Sequence, residues 1–302
     1  MAQASNEGTR ANLLQAAIAR ACRLYPFISG TGTLANSTLF RRFSGTGRNA
    51  VWARVDGGEV LASLDEYVGR SAYFFGDLDP KISQLCRLLL RPGDRALDVG
   101  ANIGIVTLLM SRLVGSTGQV HSFEPNPVVS SRLMAAVAHS GVGNVTVYPK
   151  ALGDQPGKLI LNVPPDNAGA ASLVHGYAEP GTVRVEVPVV RLDDEISQGP
   201  IRLMKIDVEG FELMVLRGAR NLLAEMPPDC IVFEHQDRSG GSASEVLACL
   251  SAAGYRFYAV AKSLLKLRLL AFDPTDGGRP LTNDVLAVHR RLAPNFGWLP
   301  KR

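Results

Sequence analysis

Four short stretches hold the residues whose types and spacing could do chemistry. Asp98, Gly100, Asn102 and Gly104 stand in RALDVGANIG, residues 95–104, and Glu124 closes QVHSFE, residues 119–124. Asp207 and Glu209 stand in IRLMKIDVEGFE, residues 201–212, and Glu234 with His235 follows the apolar start of a run from Cys230 to Phe233. In each stretch a short apolar run ends in the polar group, the pattern of a buried strand whose tip reaches a ligand-binding edge. Carboxylates at such tips accept hydrogen bonds from hydroxyls, take up protons as bases, or hold cations. A histidine beside them can act as a base near neutral pH.

The glycine spacing says which ligand the first stretch suits. Gly100 and Gly104 clear side chains from a strand-to-helix turn, so backbone can approach a bound group and face it with a helix N-terminus. A dinucleotide fingerprint reads G-x-G-x-x-G, with a middle glycine that admits a pyrophosphate. Asn102 takes that middle place here, and Asp98 lies two residues before the first glycine. An acid at this tip opposes a phosphate and suits an amino-bearing, cationic ligand. S-adenosylmethionine carries an ammonium and a sulfonium and no phosphate. Glu124 ends a second strand a little over twenty residues on, where an acidic side chain accepts hydrogen bonds from both ribose hydroxyls of an adenosine. Its charge repels a 2′-phosphate and so disfavours NADP. Glycines that serve only packing would give the same turn.

The later tips supply candidates for the reaction itself. Asp207 ends the strand Leu203 to Ile206, and Glu209 and Gly210 open the next helix. Glu209 and Glu212 also suit the positive end of that helix, and Asp207 suits its cap, so this turn serves site and fold together. As a base Asp207 ranks first, ahead of His235 and Glu209. His235, in a strand-end loop, is more often a structural hydrogen bonder. A divalent metal such as Mg or Mn held by Asp207, Glu234 and His235 fits the ligand types but is not favoured, because strand-tip carboxylates also occur without an ion.

The elements that position these residues are legible along the chain of 302 residues. Ala11 to Tyr25 has helical spacing with Arg10, Arg20 and Arg23, read as a helix packed on the catalytic domain ahead of a membrane-surface helix. Leu34 to Arg48 reads as a connector, and Asn49 to Val55 with Glu59 to Leu64 as a hairpin turning at Asp56-Gly57-Gly58. Lys81 to Leu90 reads as a helix, and Tyr73, Phe74 and Phe75 as either a cover over the cofactor end or core aromatics. Helices are expected over Ile103 to Val114, Val128 to Ser140 and Ser244 to Ala253, and a third strand over Val145 to Leu152 whose tip sets Ala151 beside an adenine. Lys158 to Val163 and Val183 to Val190 read as strands around a long loop with Asn167, Ser172, His175 and Tyr177, expected to face the substrate. Leu264 to Phe272 reads as a lid or a contact surface, and a homo-oligomer is allowed. The expectation is an α/β fold of the Rossmann-like class I methyltransferase type, with helices on both faces of a mostly parallel seven-stranded sheet carrying an antiparallel edge hairpin.

Composition narrows the setting. The apolar fraction is 46% and the net charge +4, without a dense Lys/Arg run interleaved with aromatics, so nucleic acid is not implied. Cys22, Cys86, Cys230 and Cys249 are scattered, which reads as reduced thiols in a cytoplasmic protein. The most hydrophobic helix is interrupted by Ser111 and Arg112, so stable membrane insertion is not expected.

DVGANIG at Asp98 to Gly104, FEPNP at Phe123 to Pro127, Leu192-Asp193, KIDVEGFE at Lys205 to Glu212 and Phe233-Glu234 together resemble the FkbM family of methyltransferases. The resemblance runs from about Tyr73 to His289, which divides the chain into an N-terminal helical and hairpin extension, 1–72, and a methyltransferase domain, 73–302. It implies S-adenosylmethionine as cofactor, with Asp98, Gly100, Asn102 and Glu124 at its site. It also implies O-methylation of a small-molecule or glycan hydroxyl, on a sugar, polyketide or similar metabolite. Asp207, Glu209 and Glu234 then fall where substrate and methyl donor meet. A non-catalytic interaction module of the same fold and an NAD-binding enzyme are the alternatives.

Overall fold

The computed structural model describes residues 12–27, 29–44, 50–164, 171–173, 181–196, 199–235, 242–274 and 280–292. Its first elements are α1 (Leu13–Cys22), α2 (Thr31–Ala35) and α3 (Thr38–Ser44). The stretch from Leu34 expected as a connector therefore contains helix. Phe40 and Ser44 are buried one turn apart in α3, and that packing outweighs the modest helix propensity of Thr, Ser and Phe. β1 (Ala50–Val55) and β2 (Gly58–Ser63) form the expected hairpin. α4 (Tyr67–Arg70) runs into a π turn at Ser71–Phe75, and α5 (Pro80–Leu89) begins on Asp79, whose side chain accepts the Lys81 N–H, with Pro80 in the first turn.

The alternating part of the chain follows. β3 (Arg95–Val99), α6 (Ile105–Val114), β4 (Gln119–Phe123), α7 (Pro127–His139) and β5 (Val145–Tyr148) come first. The expected third strand then divides: Tyr148 ends it in the main sheet, and β6 (Ala151–Leu152) pairs elsewhere, with β7 (Gly157–Val163) and β8 (Val183–Val190) in a three-stranded sheet ordered β6-β8-β7. Next come α8 (Leu192–Glu195), β9 (Leu203–Ile206), α9 (Glu212–Arg217), α10 (Arg220–Glu225), β10 (Cys230–Glu234) and α11 (Ser242–Ala252). β11 (Tyr255–Lys262), β12 (Leu267–Phe272) and β13 (Asp284–His289) complete the set.

The main sheet is ordered β12-β11-β13-β10-β9-β3-β4-β5. β5, β4, β3, β9 and β10 run parallel, and β13 enters antiparallel between β10 and β11. The seven expected strands are all present, and β12 adds an eighth as the antiparallel partner of β11. The apolar run through Leu267 is thus a strand of the edge hairpin and not a lid. The chain winds from β3 outward to β5 and then returns to β9 on the other side of β3, so the carboxyl ends of β3 and β9 flank a topological switch point.

Helices cover both faces. Leu85, Leu89, Leu109 and Met110 of α5 and α6 pack on one face with Ala96, Val120 and Val232. Leu213, Leu216, Val246 and Leu250 of α9 and α11 pack on the other with Leu97, Met204 and Ile231. The N-terminal hairpin joins this body, since Val51, Ala53 and Val60 share a buried cluster with Ile105, Leu108 and Val129. Of the loop residues singled out in the sequence, Ser172 is described, whereas Asn167, His175 and Tyr177 lie outside the described residues.

Candidate active site

The site begins where β3 stops. Gly100 has φ +76, and a Cβ built on it would lie 1.8 Å from the Asp207 carbonyl oxygen, so the tips of β3 and β9 approach as closely as only glycine permits. The Gly100 and Ala101 N–H groups both donate to Phe123 O at 3.0 Å, and the Asp207 N–H donates to Val99 O at 3.0 Å. Three strand tips are thereby fastened into one edge. Gly104, with φ +97, opens α6, and its built Cβ would meet Leu133 of α7 at 2.6 Å. Its role is helix packing, and it does not line the cavity.

Asp98 is fully buried beneath this edge. One carboxylate oxygen accepts from Thr107 Oγ1 at 2.7 Å, and the other lies 3.2 Å from Lys205 Nζ. Lys205 Nζ also donates to Gly100 O at 2.9 Å and lies 3.5 Å from Asp207 Oδ2. Burial alone would lower the pKa of Lys205, but the carboxylates of Asp98 and Asp207 more than offset it, and its pKa is raised. Asp98 therefore holds a lysine and a helix in place, and its charge acts on the site through Lys205. Sequence reasoning passed over Lys205. The available signal was a lysine inside an otherwise apolar strand, which is stable only with a buried carboxylate partner.

Glu124, at the tip of β4, is buried, and each of its carboxylate oxygens accepts one backbone N–H at 2.9 Å, from Asn102 and from Asn126. Asn102 presents its N–H from a left-handed conformation, φ +51, steadied by its own Oδ1 accepting from the Ile103 N–H. Burial pushes Glu124 up to about 7 against the pull of those two hydrogen bonds. A carboxylate oxygen accepts about two hydrogen bonds, so each keeps a lone pair for a ligand hydroxyl.

Gly100, Asn102, Glu124, Ala151 and Asp207 line one cavity of about 500 Å³, together with Glu209 and Glu234. His235 is not on its wall; the His235 N–H is held by Asn283 O. Asp207, Glu209 and Glu234 each place a carboxylate oxygen within 4.8 Å of the others. Glu209 adopts φ +49, and its carbonyl accepts from Ser172 Oγ at 2.9 Å, so the three-stranded insertion pins the turn that carries it. Leu161, Ala171 and Leu173 of that insertion add an apolar wall beside Phe211. On the opposite side Tyr67, Leu78 and Ile82 close the space, with Lys81 held by Asp79 at 3.5 Å and by Asp284. Burial lowers and the two aspartates raise the pKa of Lys81, with a net rise. The Lys81 group was not visible as part of the site from sequence, because α5 and β13 are some two hundred residues apart and only the sheet order unites them.

Among the described residues three lysines line the cavity, and each already has a carboxylate: Lys81 as above, Lys150 with Glu195 at 2.8 Å, and Lys205 with Asp98. The wall thus offers acids for hydroxyls and amines but commits its cations internally, a poor arrangement for a pyrophosphate.

Residues 98–257 match the methyltransferase FkbM domain. The chain belongs to that family. The FkbM-domain chain is 34% identical over 201 residues to 31-O-demethyl-FK506 methyltransferase FkbM of Streptomyces tacrolimicus, an alignment covering 55% of this chain and 74% of that protein. It is 31% identical over 143 residues to hexuronic acid methyltransferase AglP of Haloferax volcanii, covering 45% of this chain and 56% of that one. Methyltransferase 1 of Beauveria bassiana is 31% identical over 145 residues, 40% of this chain and 57% of its own length. The chain thus spans little more than half the length of the last two relatives. A solved methyltransferase FkbM from Methylobacillus flagellatus superposes with a TM-score of 0.43 at 17% identity, over 74% of this chain and 53% of that one. As a fold, the sheet order and the single inserted antiparallel strand of the FkbM-domain chain are those expected for a class I methyltransferase. No helix among the described residues is long and apolar enough to cross a membrane.

Proposed function

We propose that this FkbM-family chain transfers a methyl group from S-adenosylmethionine to a hydroxyl of a sugar, polyketide or related small metabolite. The observation that carries the reading is the single cavity joining the Glu124 carboxylate to the Asp207, Glu209 and Glu234 cluster. The donor chemistry of its wall fits the cofactor: an acid with spare lone pairs for a ribose diol, glycine backbone at the strand tip, and lysines already neutralised against phosphate. The names of two relatives, a 31-O-demethyl-FK506 methyltransferase and a hexuronic acid methyltransferase, support a hydroxyl-bearing acceptor.

S-adenosylmethionine supplies the methyl group on a sulfonium, which leaves as a neutral thioether. Glu124 accepts the ribose hydroxyls, and Gly100 and Ala151 leave room for the cofactor between the tips. Asp207 is the base for the acceptor hydroxyl: it is the most exposed of the buried network around Lys205, with 44% of its side chain accessible, and so it can meet an incoming substrate. Glu209 and Glu234 flank it and accept hydrogen bonds from neighbouring hydroxyls. Alignment of the hydroxyl by these walls supplies most of the rate.

A second reading, a divalent cation on Asp207, Glu209 and Glu234, is favoured by their spacing alone; such an ion would lower the hydroxyl's pKa in place of a base. Calorimetric titration with S-adenosylhomocysteine and, separately, NAD tests the cofactor assignment. Binding of the former, weakened by Glu124→Ala, supports it; preferential NAD binding, or no binding by folded protein, refutes it. Mass spectrometry of sugar and polyketide acceptors then identifies the substrate.

A further inference from the structure

Most surface helices hide apolar residues and show polar ones. α1 packs Ile18, Ala19 and Cys22 on the body but is apolar on its outward side as well. Its inward side buries Gln15 and Ala19, and Gln15 Nε2 donates to Ser44 O at 2.9 Å and to Phe43 O at 3.3 Å. Its outward side exposes Leu13 at 92% and Leu14 at 61%, along with Ala16, Ala17 and Ala21, and Leu24 just beyond the helix is 81% exposed. Leucines this exposed on one short helix form a patch of a kind that soluble surfaces ordinarily lack.

The charge around the patch has one sign. From Gly8 to Val55 the sequence contains seven arginines and neither Asp, Glu nor Lys. Arg20 is exposed on α1 itself, and Arg41 and Arg42 are exposed in the last turn of α3, which Gln15 ties to α1. Every acid of the molecule's first 65 residues other than Glu7 begins at Asp56, beyond this segment.

We propose that α1 and the last turn of α3 dock on an anionic lipid bilayer. Leucines on a convex helix surface, flanked by arginines, suit an interface where acyl chains receive the leucines and lipid phosphates receive the guanidinium groups. The occupant is argued from charge: the exposed Arg20, Arg41 and Arg42 beside the leucines call for phosphates at the same surface. The contact is peripheral, since no described helix can span a bilayer. α2, which lies between α1 and α3 in the chain, abuts the cavity wall: a Cβ built on Gly32 would lie 2.5 Å from the Tyr67 hydroxyl, and Tyr67 lines the cavity.

Co-sedimentation of the full chain with vesicles tests this, using phosphatidylcholine alone and phosphatidylcholine mixed with phosphatidylglycerol. The expected result is binding about tenfold tighter to the mixed vesicles. The triple variant Leu13→Gln, Leu14→Gln, Leu24→Gln should lose about tenfold or more while keeping its melting temperature, because these side chains are exposed. Arg20→Gln, Arg41→Gln and Arg42→Gln together should erase the difference between the two vesicles. The proposal is overturned if wild-type protein stays in the supernatant with both vesicles, or if the leucine variant binds as wild type does. It is also overturned if light scattering shows a dimer that the leucine variant dissolves without any vesicle binding, since the patch then covers a second copy of the chain.

Discussion

Lys205 Nζ lies 3.2 Å from the buried Asp98 carboxylate and donates to the Gly100 carbonyl at 2.9 Å, so one ammonium ties the first strand tip to the base of the site. Removing one member of a buried pair leaves the other charge uncompensated. Lys205→Met should cost about 3–5 kcal/mol of stability in urea unfolding. Adding Asp98→Asn to it should recover part of that loss. If Lys205→Met alone is near neutral, the pair does not hold the edge together.

Gly100→Ala places a methyl group against the Asp207 carbonyl and a non-glycine residue at φ +76. Backbone cannot yield as a flexible side chain can, so the tips must part. Binding of S-adenosylhomocysteine should be lost and the melting temperature should fall, whereas Gly143→Ala, with open space around its Cβ, should leave both unchanged.

Glu124 is pushed up to about 7 in the folded protein, from an ordinary value of 4.5, by burial. The folded state then binds this proton more tightly than the unfolded chain. Its stabilising contribution is full below the unfolded pKa and declines as pH rises through about 7. Buried Asp77, Glu212 and Asp284 are raised as well and tilt stability the same way, so the informative quantity is wild type minus Glu124→Gln. That difference should change between about pH 4.5 and 7 and be flat above it. Ribose hydroxyls favour the charged carboxylate, so S-adenosylhomocysteine binding near pH 7 should release a proton. Calorimetry in buffers of different ionisation enthalpy reads that proton, and Glu124→Gln should abolish it.

Asp207→Asn removes the proposed base and should lower kcat by about 10²–10⁴ with little change in cofactor affinity. Activity of the wild-type enzyme should persist after treatment with EDTA. Loss of activity on chelation, restored by Mg, would instead assign Asp207, Glu209 and Glu234 to a metal.

Thiol chemistry should follow burial. Cys86 and Cys230 are buried and pushed up to about 12, while Cys22 and Cys249 are partly accessible with smaller rises, also from burial. A thiol reagent at neutral pH should label Cys22 and Cys249 before the other two, which should react only on unfolding; peptide mapping reads the order.

The sequence by itself determined the parallel strands of the main sheet that carry the site, their tips and the acids on them. An apolar run followed by glycine and a carboxylate is a local pattern, and Pro127, three residues after Glu124, starts a helix whatever lies around it, so Asp98, Glu124, Asp207 and Glu234 were legible as one edge. Only the tertiary structure decided which of them line the cavity. Asp98 and Asp207 look alike in sequence, yet one is sealed against Lys205 and the other opens on the cavity, because burial depends on the strands and helices that pack above each tip. The same holds for Lys81 with Asp284, for Ser172 under Glu209, and for the exposed apolar face of α1. Each pairs positions far apart in the chain, or depends on which side of a helix the body covers, and periodicity carries neither kind of information.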